Sequence, residues 1–146
     1  MLELVLLATL ASTELTIQVD RPLPATLRCV EAVLIDQGES IIRIDEAQGL
    51  MLSGMRLISL ETLHQIAATN RMKATIRWTK GIYQLSIALS HNEQGGTLVR
   101  TTARILGYGE SDLRSMRPSP WWPLPSTGHL EAGILAAVTA SCQTHP

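Results

Sequence analysis

Hydrophobic residues recur along this chain with two different spacings, and the two spacings follow each other in a definite order. Near each end of the chain they recur every three or four residues, as they do along a helix with one buried face. Between these regions they alternate with polar residues, as they do along a β-strand with one buried face. This order predicts an antiparallel sheet with one helix near either end of the chain.

The helical spacing predicts a first helix over residues 24–37 and a last helix over residues 127–142. Gly38 suits the position just after a helix, because glycine adopts the left-handed conformation that often ends one. Ser126 or Thr127 is expected to cap the last helix, since a hydroxyl oxygen can accept a hydrogen bond from a free amide in the first turn.

The alternating spacing predicts strands over residues 14–19, 40–44, 50–53, 73–79, 82–90 and 97–106. Residues 45–49 have the length of a hairpin turn and end in glycine. Lys80 and Gly81 are expected to form a tight turn between two of the strands, and Gly107 and Gly109 are expected to end the last one. The last three strands would then form a meander.

Two segments have less regular patterns. Residues 57–69 predict either a short helix capped by Ser59 or an irregular crossing. Residues 110–125 contain four prolines and are expected to form a long, extended, polyproline-like connection.

Two adjacent tryptophans, Trp121 and Trp122, lie between Pro120 and Pro123 in this connection. One interpretation is that a tryptophan fills an edge of the core while the prolines keep the segment straight. The other is that the segment forms a docking surface, because tryptophan and other aromatic residues are enriched in protein interfaces and at the membrane–water boundary. These four residues are the candidate interaction site.

The composition fits a folded domain and gives no sign of two classes of partner. The chain has 146 residues, of which 45% are hydrophobic, so it is long and apolar enough for one domain with a real core. Its 12 basic and 13 acidic residues give a net charge of −1. Since there is no basic excess and no Lys/Arg block, the totals do not indicate a nucleic-acid partner or an anionic-membrane patch. We expect one α+β domain over residues 14–146, after a leader over residues 1–13.

The leader is open to two interpretations. Residues 2–11 are mostly apolar, too few to span a bilayer, and resemble the apolar region of a secretory signal with a cleavage site after Ala11. No Lys or Arg precedes them, however, and no Cys follows directly for lipid attachment. An ordinary first strand or an unstructured leader is the alternative.

The residues that could carry chemistry are scattered. Histidines occur at positions 64, 91, 129 and 145, without the spacing of a metal-ligand pair, and we find no assembled catalytic set, metal site or cofactor motif. Cys29 and Cys142 are interpreted as two buried thiols, or as a disulfide if their Cα atoms lie within about 7 Å. Arg77, Arg100 and Arg104 are expected on one sheet face, as a solvent-facing surface or a shallow anion site.

Two short motifs accompany the order of elements. The first predicted helix ends in Gln37-Gly38, and the following strand carries an acidic-x-x-x-Gly-hydrophobic turn, Asp45 to Leu50. With them, residues 14–140 resemble the helix-grip modules of small bacterial envelope lipoproteins, of the outer-membrane β-barrel assembly type. The resemblance implies a non-enzymatic envelope protein that docks onto partners. The sequence departs from that family by lacking the lipid-attachment cysteine and by having residues 57–69 as an additional segment.

These observations lead to one expected fold and two expected functions. The fold is α+β, a twisted antiparallel sheet of about five or six strands packed on one face by two helices. The leading function is a non-catalytic protein-interaction module, an accessory subunit of a bacterial cell-envelope complex in the periplasm or envelope, with a cytoplasmic location as the alternative. It would contact protein partners, including membrane-associated ones, through residues 120–123 and an exposed sheet edge, without cofactor or nucleic acid.

The alternative function is the binding of a lipid or other small apolar ligand. A helix-grip sheet can enclose an apolar cavity beneath its C-terminal helix. Met51, Met55 and Met72 would suit the lining of such a cavity, because methionine adapts to irregular shapes.

Overall fold

The computed structural model describes residues 15–71, 76–111 and 119–143. The elements follow one another as β1 (Leu15–Val19), α1 (Leu23–Asp36), β2 (Ile41–Asp45), β3 (Leu50–Ser53), β4 (Arg56–Ser59), α2 (Leu60–Ile66), β5 (Ile76–His91), β6 (Thr97–Ser111), β7 (Trp121–Leu124) and α3 (His129–Cys142). A single 3₁₀ turn, Thr69–Arg71, follows α2. The leader predicted over residues 1–13 lies outside the described residues.

The strands form one open antiparallel sheet around the two long central strands. Its order is β1-β6-β5-β3-β2, with β4 paired to β5 and β7 paired to β6. Strands β1 and β7 therefore share one side of β6, and β3 and β4 share the far side of β5. The predicted α+β fold is confirmed, although the described sheet has seven strands rather than five or six and a third, short helix joins the two predicted ones.

All three helices contribute to one core on one face of the sheet. On β5 the alternate residues Leu85, Ile87 and Leu89 are buried, while the residues between them point the other way. The buried residues of the helices belong to the same cluster, and they include Leu27, Val30 and Leu34 of α1, Leu63 and Ile66 of α2, and Ile134, Leu135 and Val138 of α3. We call the sheet face turned away from this core the outer face; no helix of the described residues covers it.

The ends of the helices follow local backbone chemistry. Gly38 follows α1 with φ +89°, the left-handed conformation that its position predicted. The last helix begins later than predicted, at His129, and its N-cap residue is Gly128, with φ +87°, so the predicted cap by Ser126 or Thr127 was wrong. Both expected capping hydroxyls lie just before the helix: Ser126 Oγ accepts from the Gly128 amide at 3.0 Å, and Thr127 Oγ1 accepts from the His129 amide at 3.4 Å.

The predicted turn at Lys80 and Gly81 was wrong, because β5 runs through both residues with a register irregularity between Trp78 and Lys80. The glycine is needed for close packing. A Cβ atom at Gly81 would lie 2.6 Å from Cδ1 of Leu63, so its absence lets α2 approach the sheet. Because Gly81 was interpreted as a turn residue, one long strand was predicted as two shorter strands.

The predicted end of β6 at Gly107 and Gly109 was wrong for the same reason. The strand continues to Ser111, and a Cβ atom at either glycine would lie 2.8 Å from the ring of Trp78. The indole therefore lies directly against the backbone of the neighbouring strand. These glycines accommodate an aromatic ring within the sheet.

The two irregular segments also contain regular structure. The short-helix alternative for residues 57–69 is confirmed, and Ser59 Oγ accepts from the Thr62 amide at 3.3 Å. The predicted polyproline-like connection is wrong in its described parts. The first two residues of this segment belong to β6, and Trp121–Leu124 forms the edge strand β7. Proline has no N–H to donate between strands, and an edge strand tolerates Pro123 for that reason. Residues 112–118 lie outside the described residues.

The two cysteines form a disulfide. Cys29 of α1 and Cys142 at the end of α3 are bonded, with their Cα atoms 5.8 Å apart. The interpretation as two free buried thiols was therefore wrong, and the disulfide ties together the two helices that cover the sheet. Of the helices that the structure describes, none is both long and apolar enough to cross a bilayer.

Candidate functional site

The structure separates the two adjacent tryptophans of the candidate interaction site. Because neighbouring residues of a strand point to opposite faces, β7 sends Trp122 into the core and Trp121 to the outer face. The flanking prolines are exposed, and the carbonyl of Pro120 accepts from the Gly109 amide at 3.0 Å. Trp121 and Pro123 thus share the outer face, whereas Trp122 does not.

Trp122 is a core residue that is 9% exposed. Its Nε1 donates to the Gly109 carbonyl at 3.2 Å, and its ring meets that of Trp78 edge-on, with the ring centroids 6.4 Å apart. The apolar body of the side chain is therefore packed and its one polar group is satisfied.

Trp121 belongs to an aromatic cluster on the outer face, which we define as Lys80, Tyr108 and Trp121. The centroids of the Tyr108 and Trp121 rings are 5.0 Å apart, in an edge-to-face arrangement. The Lys80 ammonium lies 4.8 Å from the Tyr108 centroid and 6.0 Å from that of Trp121, within reach of cation–π attraction. The three residues lie side by side because Tyr108 is opposite both Lys80 and Trp121 in the strand register.

An apolar row crosses four strands of the outer face directly beside this cluster. Its members are paired in register from β4 through β5 and β6 to β7, and they are Leu57, Ile82, Leu106 and Pro123. Leu57 is 66% exposed, an unusual state for a leucine in a strand. None of the four residues belongs to the core cluster or packs against it. The sequence concealed this row because its members are far apart along the chain.

Charge is divided unevenly between the outer face and the helices. Among the residues that the structure describes, the strands place five cations on the outer face, Arg43, Arg77, Lys80, Arg100 and Arg104, and two anions, Asp45 and Glu110. The charges at exposed or partly exposed positions of the helices are one cation, Arg28, and three anions, Glu31, Asp36 and Glu61. The three arginines expected on one face do share it, although they are spread along it: Arg77 is opposite Glu110 at one end, whereas Arg100 is opposite Ala88, eleven residues further along β5.

A hollow of about 470 Å³ indents the outer face at the end away from the aromatic cluster. Residues of four strands line it, including Thr16, Leu50, Ala88, Leu98 and Arg100. The small side chain of Ala88 forms part of its floor, between Leu50 on β3 and Arg100 on β6. The outer face is therefore indented and not flat.

A polar cluster that the sequence did not reveal joins the connection after α1 to β4 and β5 at the border of the core. Glu39 is only 7% exposed and accepts hydrogen bonds from Arg56, at 3.1 Å, and from the Tyr83 hydroxyl. Arg56 also donates to the Tyr83 oxygen at 3.3 Å. The buried carboxylate is thus paired, as the cost of desolvating a charge requires.

This cluster changes the acidity of its tyrosine. Burial, followed by the hydrogen bond that Tyr83 donates to Glu39, raises the pKa of the Tyr83 hydroxyl to about 12. The electrostatic interaction with the Tyr83 oxygen, more than that with Glu39, raises the pKa of Arg56. At neutral pH Tyr83 therefore stays protonated and donates its proton to a structural hydrogen bond.

Two of the three methionines proposed to line a ligand cavity, Met51 and Met55, do not lie together. Met51 is 1% exposed within the core, whereas Met55 is 62% exposed. Met72 lies outside the described residues. A surface groove of about 530 Å³ lies between α1 and α3, beside the disulfide, and its lining includes Cys29, Val33 and Ala137.

The other candidate chemical residues are also placed by the structure. His64 Nδ1 lies 2.9 Å from Thr69 Oγ1, and His91 and His129 are exposed, while His145 is outside the described residues. Within residues 15–71, 76–111 and 119–143, no three His, Cys, Asp or Glu side chains could together hold a metal ion. Glu131, fully buried in the first turn of α3, accepts from the Ser126 hydroxyl at 2.8 Å through Oε1.

Comparison with models of known protein families and with curated proteins finds no match to this chain.

Proposed function

We propose that this protein is a non-catalytic interaction module, an accessory subunit of a bacterial cell-envelope complex, and that the outer face of its sheet is the contact surface. The apolar row carries this proposal. Leucine, isoleucine and proline side chains in register across four strands form a continuous apolar strip on the face that no described helix covers. Contiguous apolar surface of this kind marks protein-interaction sites more often than isolated exposed residues do.

The surroundings of the row have the composition of an interface. Aromatic residues and arginine are enriched where proteins meet, and here Tyr108 and Trp121 adjoin the row on one side and Arg104 lies on the other. Tyr108 and Trp121 hold each other in a fixed geometry. Little conformational entropy is therefore lost when a partner covers them.

Two of the edge strands of the sheet, β7 and β2, are poorly suited to pairing with an added strand. The edge strand β7 contains Pro123, which cannot donate to an added strand, and the edge strand β2 has a register irregularity between Ile41 and Arg43. Both features obstruct continuous pairing. We therefore assign the contact to the outer face rather than to pairing along these two edges.

The proposed location in the envelope rests on the disulfide. Disulfides persist in oxidising compartments such as the bacterial periplasm and are rare in the cytosol. The bond between Cys29 and Cys142 fits the former environment.

The decisive experiment compares two exposed hydrophobic residues on opposite sides of the molecule. Leu57 on the outer face is 66% exposed, and Ile35 on α1 is 58% exposed. The purified protein and its Leu57→Ser, Trp121→Ala and Ile35→Ser variants are each used to capture partners from native envelope membranes. We expect Leu57→Ser and Trp121→Ala to reduce recovery of the same partner by on the order of tenfold, and Ile35→Ser to leave it unchanged.

Circular dichroism and a thermal melt establish that each variant is folded before the capture is compared. If Ile35→Ser loses the partner while Leu57→Ser and Trp121→Ala retain it, the contact surface lies on the helices and the proposed assignment is wrong.

A further inference from the structure

The outer face has a charge opposite in sign to that of the whole chain. The chain carries a net −1, yet the described part of the outer face has five cations against two anions. Since the helices on the other side carry three exposed or partly exposed anions against one cation, the fold separates charge across the sheet. Such a separation produces an electrostatic field that attracts negatively charged partners to one side of the molecule.

The cations lie on both sides of the apolar row. Lys80 is two residues from Ile82 on β5, and Arg104 is two residues from Leu106 on β6, on the opposite side of the row. Two residues along a strand span about 7 Å, so each cationic group is within reach of a ligand seated on the row. The surface thus combines an apolar centre with a cationic border, and charge complementarity requires the reverse on the partner.

Two other occupants fit this arrangement less well. A second copy placed face to face would bring the cations of both copies together, which costs free energy. A membrane-surface site needs apolar side chains that reach about 5–10 Å into the lipid boundary, whereas Trp121 is held edge-on against Tyr108 within the sheet face.

We infer that the outer face binds an acidic polypeptide segment, one with apolar side chains at its centre for the row of Leu57, Ile82 and Leu106 and with Asp or Glu at its borders for Lys80 and Arg104. This inference rests on the proposed function and names the chemistry of the partner. Association is faster and tighter at low salt, because the charge term is screened as ionic strength rises.

The test uses a displayed library of random peptides, selected on the immobilised full chain. Enriched peptides are synthesised with a fluorophore, and their affinity is measured by anisotropy between about 50 and 300 mM NaCl. The variants are Arg104→Gln, which removes one charge, and Arg104→Glu, which reverses it. The matched control is Arg28→Glu, which makes the same reversal on an exposed position of α1.

We expect the selection to enrich peptides that combine Asp or Glu with apolar residues. Their affinity should fall a few fold in Arg104→Gln and on the order of tenfold in Arg104→Glu at low salt, and remain unchanged in Arg28→Glu. Leu57→Ser should weaken the same peptides at every salt concentration, because its contribution is apolar.

Further measurements distinguish the competing occupants. Binding to phosphatidylcholine vesicles containing phosphatidylglycerol, or to oligo-thymidine, without binding to the selected acidic peptides would overturn the inference, as would self-association that Arg104→Glu abolishes in sedimentation velocity. Enrichment of neutral or basic peptides that Leu57→Ser still weakens would overturn the charge inference while leaving the proposed contact surface intact. Selected peptides whose affinity does not change in Arg104→Glu would likewise overturn the charge inference and leave the proposed contact surface intact.

Discussion

Trp121 and Trp122 are identical residues, adjacent in sequence and on the same strand, yet they belong to different environments. Trp122 is packed against Trp78 and hydrogen-bonded to Gly109, whereas Trp121 meets Tyr108 and Lys80 on the other side of the sheet. The separation follows from the pleat of a strand, which alternates its side chains. Trp122 therefore contributes to the stability of the fold, and Trp121 contributes to the proposed contact surface.

The comparison extends to the two faces as wholes. The inner face is apolar and is covered by helices, two of which are joined by the disulfide. The outer face carries the apolar row together with cations. Both are built from the same strands, so a shift of one residue along a strand changes the consequence of a substitution completely.

Removing the two tryptophan rings should have the most unequal effects. Trp122→Ala deletes a buried ring, leaves a cavity beside Trp78, and should lower the free energy of unfolding by about 3–5 kcal/mol. Trp121→Ala should cost less than about 1 kcal/mol, since much of its surface is outside the core. Denaturant titration of both variants measures the difference. Equal losses would mean that the two faces are not energetically distinct.

Breaking the disulfide should weaken the helical layer and leave the outer face functional. The Cys29→Ser, Cys142→Ser double variant frees a loop of 113 residues and should lose about 2–4 kcal/mol, because the unfolded chain regains its freedom. Partner binding by the folded fraction should be unchanged. Denaturant titration measures the first quantity, and capture below the melting temperature the second; an impaired capture would show that the helices contribute to the contact.

High pH should destabilise the protein through Tyr83. Its pKa is about 12 when folded and 10.0 when unperturbed, so in the unfolded chain the hydroxyl ionises first. Its contribution is fully present below pH 10 and is lost as pH rises towards 12, a loss of about 2 kcal/mol. Unfolding curves across this range measure the slope. Tyr83→Phe should be less stable at neutral pH but show a shallower decline; an identical slope would assign it to other groups.

The smallest effect on stability is expected on the apolar row. Leu57→Ser changes a residue that is 66% exposed, so the free energy of unfolding should change by no more than about 0.5 kcal/mol. A loss of partner with unchanged stability is the signature of an interface residue. A thermal melt beside the capture experiment measures both, and a large destabilisation would place Leu57 in a structural role.

Much of the fold was predictable because it depends on local periodicity. The helices around Val30 and Ile134 and the hairpin ending at Gly49 follow from spacing and turn chemistry within a few residues. The errors at Gly81 and Gly107 arose because glycine marks close approach as well as turns. Only the position of Leu63 and Trp78 in space distinguishes the two uses.

The candidate site was only partly predictable, since it is built from residues far apart in sequence. Periodicity placed Arg77, Arg100 and Arg104 on one face, but it could not bring Leu57 beside Ile82 or Glu39 beside Tyr83. The near-neutral total charge likewise concealed the division of charge across the sheet, because a sum carries no directions. Such features depend on strand order, which the sequence pattern leaves open.

The pairing of β1 with β6 has a consequence for how the chain reaches this structure. Leu15 lies opposite Thr101. During synthesis, β1 therefore cannot pair until β6, which lies much later in the chain, has been made. Contacts between such distant residues slow folding, because a long stretch must be ordered before they can form. Until β1 arrives, that stretch of β6 remains an open template on which a foreign strand could add, and the risk of misassembly during synthesis is concentrated there.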